Sequence, residues 1–318
     1  MALQGVLAVL PLLIMALIGF SCAKLPWFGR RGLNFLSKFT IGIAIPLYLF
    51  SNVTRVYSHR SELIGLFYDL RYPVILVVIS VVLSSIAAKL LDIKPPQRGV
   101  FINATSFSNI VVMGMPVVVS LFGEEVLPIL MIFYACNTIS YWTLGVWLLR
   151  REAEDRMPLG VWGTIKEVLS NRPLQGFLLG LLWIFFELPI PGFINKTLIG
   201  IGNSVTLLAM MFIGSVIRFA DFSSISRFRE LILLLGYRYL LVPLFSGFFC
   251  WMLPVDSVMK QVFFILSNMP AMAQLPIMAK EVRSDYELAS MATALTTAIC
   301  MVAIPVYIMI MEYTQVFA

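Results

Sequence analysis

Apolar stretches long enough to span a bilayer recur along this chain, separated by short polar breaks. Cutting at charge clusters and Pro/Gly breaks leaves ten segments, at 3–22, 33–52, 72–91, 98–122, 126–149, 173–189, 194–217, 230–253, 257–279 and 286–311. A helix needs about 20 apolar residues to cross the hydrocarbon core. Lipid offers no hydrogen-bond partners to an open strand edge, so the segments are expected to be helical. The pattern predicts an all-α polytopic membrane protein with ten transmembrane helices. Composition agrees: 60% of the 318 residues are hydrophobic and 13% charged, against about 25% charged in a soluble domain. A mean hydropathy of +0.92 leaves no water-facing domain, and the connections are too short to hold a nucleotide-driven motor.

Charge then sets orientation. Of the 23 Lys and Arg residues, 17 fall in connections after odd-numbered segments and 5 after even-numbered ones, with Arg238 inside the eighth segment. Positive loops stay cytoplasmic, so both termini are expected on the non-cytoplasmic side of a cell membrane. The same rule accounts for the net charge of +6 without nucleic acid as a partner. No Lys or Arg precedes Lys24, so the first segment reads as a retained span rather than a signal peptide. The run from Arg150 to Arg156 mixes both signs (Glu152, Glu154, Asp155) and reads as a solvated loop.

Little in the chain supports catalysis. Cys22, Cys136, Cys250 and Cys300 stand apart without CxxC pairs, and His59 is the single histidine. No metal site, cofactor or disulfide framework is expected. P-loop, HExxH and GxSxG motifs are missing from the sequence, so the chain does not read as an enzyme. Asp69, Asp92, Glu187, Asp221 and Asp256 all sit near predicted span ends, which disfavours a carboxylate proton relay.

The connection from Arg150 to Arg172 divides the segments five and five, and an odd number per half requires any repeat to be inverted across the membrane. Landmarks recur between the halves: Val100 and Val262, Asn109 and Asn268, Pro116 and Pro276, at offsets of 162, 159 and 160 residues. The fourth segment holds a polar run, Asn103-Ala104-Thr105-Ser106-Phe107-Ser108-Asn109, followed by Gly114-Met115-Pro116; the ninth holds Ser267-Asn268-Met269-Pro270 and Gln274-Leu275-Pro276. Proline removes a donor and frees a carbonyl, so a break is expected at each. Helical rise puts Asn109 and Asn268 each about 16 Å from its span start, near the middle of a core about 30 Å thick. Paired broken helices at the midplane point to a transporter site; ordinary kinked helices glued by Asn and Ser are the bland alternative. Arg238 is a candidate counter-charge for an anion, or else a side chain that snorkels or pairs with helix carbonyls. Gly176 and Gly180 form a GxxxG, a hint of helix pairing between copies.

These residues also carry a resemblance. Ser108-Asn109…Gly114-Met115-Pro116 resembles the Asn-x-x-x-x-Gly-x-Pro segment of the auxin efflux carrier family. Asn137…Trp142-Thr143-Leu144-Gly145 is similar to its fifth span, and Met269-Pro270…Ala279-Lys280-Glu281…Glu287-Leu288-Ala289 to its ninth and tenth. The match is sharp over 98–149 and 262–305; Val111, where the family usually has glycine, and Gln274, where bacterial members usually have asparagine, depart from it. The resemblance implies two inverted five-helix repeats, 1–152 and 153–318, with broken crossover helices 4 and 9, as in PIN-type auxin carriers and bile-acid sodium symporters. In each repeat the first two helices would form a scaffold, often dimeric, and the other three a transport unit. It implies a secondary transporter of small organic anions (auxin-like monocarboxylates, malate or malonate) working by an elevator-type motion. The candidate substrate-binding set is Ser108, Asn109, Pro116, Asn137, Arg238, Asn268, Pro270, Gln274 and Pro276. A membrane sensor that binds an organic acid without moving it is the alternative.

Overall fold

The computed structural model describes residues 2–57, 59–60, 68–153, 161–219 and 228–317. Glu154, Asp155, Arg156 and Asp221, all named above, lie outside the described residues, as does Arg227. The described chain is helical, with one isolated backbone bridge between Ser108 and Ala271. In order the helices are α1 (Ala2–Cys22), α2 (Gly29–Arg55), α3 (Arg71–Leu90), α4 (Gln97–Ser106), α5 (Ile110–Phe122) and α6 (Glu124–Glu152). There follow α7 (Val161–Ser170), α8 (Arg172–Phe185), α9 (Gly192–Phe219), α10 (Phe228–Met252), α11 (Ser257–Ser267), α12 (Leu275–Glu281) and α13 (Tyr286–Thr314). Six of them, α2, α3, α6, α9, α10 and α13, are long and apolar enough to cross a membrane.

Local chemistry explains the starts. Asn171, Asp256 and Asp285 each place a side-chain oxygen on the backbone N–H three residues ahead, capping α8, α11 and α13. Four helices carry a π-helical turn, at Thr40–Ala44 in α2, Ile110–Gly114 in α5, Tyr141–Gly145 in α6 and Tyr237–Leu241 in α10. Such turns displace carbonyls from the regular ladder. The Gly145 carbonyl in α6 is taken by the Asn103 amide of α4 at 3.0 Å.

The expected breaks are present, but only the second falls at a proline. The segment 98–122 divides at Phe107–Asn109, between α4 and α5, whereas Pro116 sits inside α5 with the π-helical turn just ahead of it. A turn already out of register absorbs the missing donor, so Pro116 breaks nothing. The segment 257–279 divides over 268–274, and there Pro270 does lie in the break, with Pro276 in the first turn of α12. A second correction concerns the run read as a solvated loop: Arg150, Arg151 and Glu152 form the last turn of α6, and Glu152 is buried. Further on, α7 leaves Trp162, Ile165 and Leu169 exposed. That spacing forms one apolar stripe, as in helices that lie in a membrane interface.

Two close helix pairs frame one side of the molecule. A Cβ on Gly214 of α9 would lie 1.8 Å from the Ala16 carbonyl oxygen of α1, and one on Gly176 of α8 would lie 2.2 Å from the Pro46 carbonyl oxygen of α2. Only glycine permits these approaches, and the Ser215 hydroxyl adds a bond to the Gly19 carbonyl at 3.1 Å. The GxxxG pair Gly176/Gly180 therefore packs against α2 of its own chain, Gly180 meeting Val53 and Phe50. It gives no support to pairing between copies.

Candidate functional site

The two interrupted helices meet at their breaks. Phe107 is extended, Ser108 bridges antiparallel to Ala271, and the Asn109 N–H donates to the Pro270 carbonyl at 2.8 Å. Backbone this deep must find partners within the protein, and polar side chains from the following long helices supply them. Asn137 of α6 accepts from the Ser108 N–H at 3.2 Å and returns a bond from its own Nδ2 to the Ser108 carbonyl at 3.0 Å. One carboxamide thus stands in for a neighbouring strand. On the other break the Ala271 N–H donates to the Thr296 hydroxyl of α13 at 3.1 Å.

Arg238 projects from the π-helical turn of α10 into this crossing and is only 1% exposed. It neither snorkels nor reaches the cavity described below. Its Nη1 donates to the Thr105 carbonyl at 2.7 Å; its Nη2 donates to the Ser108 hydroxyl at 2.7 Å and to the Met269 carbonyl. The Ser108 hydroxyl donates its own hydrogen bond to the Ser267 carbonyl at 3.0 Å. Among the described residues no carboxylate pairs with Arg238.

Beside the crossing lies a cavity of about 580 Å³, walled by α9 (Phe212, Ile213, Val216), by α13 (Ser290, Thr293, Thr297), by Asn109 of the first break and by Pro276 at the start of α12, with Arg30 and Tyr286 also lining it. A volume of this order suits a small organic molecule. The hydroxyls of Thr293 and Thr297 donate back into α13, which leaves their lone pairs to the cavity, while the Ser290 hydroxyl has no protein partner among the described residues. Asn109 lines this cavity and makes its backbone bonds at the crossing, with no side-chain bond among the described residues.

Of the residues singled out from the sequence, Asn109 and Pro276 line this cavity. Ser108, Asn137, Pro270 and Arg238 are gathered at the crossing behind it. Asn268, 1% exposed, turns its amide to Ser246 at 3.0 Å and to the Phe264 carbonyl at 2.7 Å, away from the cavity lining. Gln274 joins Asn137 and Asn109 around a separate void of about 20 Å³, and Pro116 is buried in α5. Thr296 and the α13 hydroxyls were missed. Their signal was available: Thr293, Thr296 and Thr297 recur at helical spacing in an apolar span, and Thr296 follows Asn137 by the same 159 residues that separate Ser108 from Ser267.

Comparison with known proteins agrees with this picture. The family model described as membrane transport protein matches residues 5–308. A protein of Methanothermobacter thermautotrophicus, named only as an uncharacterised transporter, is 23% identical over 303 residues, spanning 94% of this chain and 96% of that protein.

Proposed function

This chain belongs to the auxin efflux carrier family of membrane transport proteins, and we propose that it is a secondary carrier of small organic anions. The observation that carries this reading is the Asn109 carboxamide, set where two interrupted helices cross at the edge of a cavity of about 580 Å³. The six long apolar helices, taken with α1, α5, α8 and α11 as shorter ones, supply the ten spans of two inverted five-helix repeats. The shared offset of 159 residues between the halves supports that repeat. In this reading α1, α2, α8 and α9 form the scaffold, through which two copies associate, and the crossing moves against it with the elements that follow each scaffold pair.

Arg30, which lines the cavity with its guanidinium over the Phe219 ring, is one source of positive charge for an anion, and other groups add to it. The Asn109 amide presents a donor, the α5 N-terminus contributes partial positive charge, and Arg238 adds a full charge behind the crossing. Phe212, Ile213 and Val216 face the apolar part of the ligand. Ser108, Asn137, Asn268 and Arg238 hold the crossing in shape, and Asn109 touches the anion.

Counterflow in proteoliposomes tests the reading. Vesicles loaded with unlabelled malonate, malate or indole-3-acetate are expected to accumulate the labelled form of at least one of them. Binding of these acids without exchange would identify a sensor instead, and neither binding nor exchange would remove organic anions as the substrate class.

A further inference from the structure

The crossing collects oxygens of one sign. Thr105 lies in the last turn of α4, and Ser267 and Met269 close the end of α11. Carbonyls at helix C-termini carry partial negative charge, and here they converge from two helices onto one point. Freed carbonyls and half-helix C-termini of this kind are what carriers use to hold a coupling cation. In this chain the point is taken. The Arg238 guanidinium reaches Thr105 O, Met269 O and the Ser108 hydroxyl together, and the Ser108 hydroxyl links on to Ser267 O.

We propose that Arg238 is a built-in cation of the crossing, occupying the carbonyl cage that a coupling sodium ion would otherwise fill, so that the crossing keeps its shape and positive charge without a bound metal ion. The side chain is held for this task. It stems from the π-helical turn Tyr237–Leu241, where the Tyr239 hydroxyl donates to the Thr296 carbonyl and the Tyr307 hydroxyl donates to the Tyr239 carbonyl at 2.7 Å. Thr296 in turn receives the Ala271 N–H, so the anchor of Arg238 and the second break share one residue. A buried guanidinium without a carboxylate is costly unless dipoles or a ligand answer its charge. Helix ends answer part of it, and the anion of the proposed function, on which this clause alone rests, answers the remainder. Arg238 is thus a positioning residue rather than a direct ligand.

The test needs no substrate. Purified full-length protein, free of organic acids, is unfolded by heat in sodium chloride and in choline chloride at equal ionic strength. Wild type is expected to melt at the same temperature in both, whereas Arg238→Ala is expected to melt lower and to be partly restored by low-millimolar guanidinium or sodium but not by choline. Should Arg238→Ala fail to fold, Arg238→Gln, which keeps donors and removes the charge, takes its place. Stabilisation of wild type by sodium over choline overturns the proposal, as does a variant that melts like wild type or responds to no small cation. If neither variant folds, the wild-type comparison decides by itself. The organic-anion reading stands or falls separately on counterflow, whose rate is expected to survive replacement of sodium by choline.

Discussion

At the residue scale, two asparagines of similar burial have opposite duties, and their variants should separate. Asn109 lines the cavity and makes no side-chain bond among the described residues, so Asn109→Ala removes a hydrogen bond to a charged ligand and leaves the fold alone. That contact is worth about 1.5–3 kcal/mol, and affinity for the transported acid should fall by roughly 10- to 150-fold with thermal stability nearly unchanged. Asn137→Ala instead strands the buried Ser108 N–H and removes one of the two bonds to the Ser108 carbonyl, which keeps the Ile110 N–H. The stranded donor alone costs about 1–3 kcal/mol, so this variant should melt lower with or without ligand. Thermal unfolding paired with equilibrium binding distinguishes the two: a stability loss in Asn109→Ala matching that of Asn137→Ala would make Asn109 another structural amide. The asparagine at 109 was legible as a candidate because a polar side chain deep in an apolar span is conspicuous. Its division of labour with Asn137 was not, since that depends on which amide the folded crossing leaves unpaired.

At the element scale the informative contacts are those where backbone meets backbone. Gly214 allows α9 to lie on α1 and Gly176 allows α8 to lie on α2. Gly214→Val should destabilise by about 1–3 kcal/mol or more, because the neighbour it meets is a carbonyl that cannot rotate away. Gly236, with open space around its Cβ position, is the control, and Gly236→Ala should fold normally. Reversed outcomes, read by melting temperature and monodispersity in detergent, would mean that α1 and α9 are not packed as described. The exposed stripe of α7 makes a separate expectation: fluorescence from Trp162 in a variant lacking the other tryptophans should be quenched by brominated lipid. Quenching only by aqueous acrylamide would place α7 in water.

For the whole molecule, orientation is the expectation with the widest consequence. The basic loops hold Lys24, Arg30, Arg31 and Arg283, and Arg30 and Tyr286 line the cavity. If those loops face the cytoplasm, the cavity is open inward. Single cysteines replacing Trp27 and Ser284 should then react with membrane-impermeant maleimide only after the cells are opened, and one replacing Glu187 should react in intact cells. Labelling of all three in intact cells would remove the ten-span topology and, with it, the inward-open assignment.

Hydrophobic run length and loop charge are local quantities, and they sufficed for what the sequence determined by itself: an all-helical membrane protein, the limits of most helices, and two polar interruptions near Asn109 and Asn268. Spanning segments must be apolar and must satisfy their own backbone, so their signal survives without knowledge of neighbours. Tertiary structure decided the rest. It moved the first break from Pro116 to Phe107–Asn109, because Asn137, Pro270 and Arg238 together stabilise an extended strand there that no local rule requires. Among the readings open for Arg238 it chose pairing with the carbonyls of Thr105 and Met269, and it walled the cavity with α9 and α13 rather than with the crossing alone. Each of these rests on a bond or contact between residues tens to more than a hundred positions apart. Which partner answers a freed backbone group is settled by geometry in the folded chain, and spacing along the sequence does not carry it.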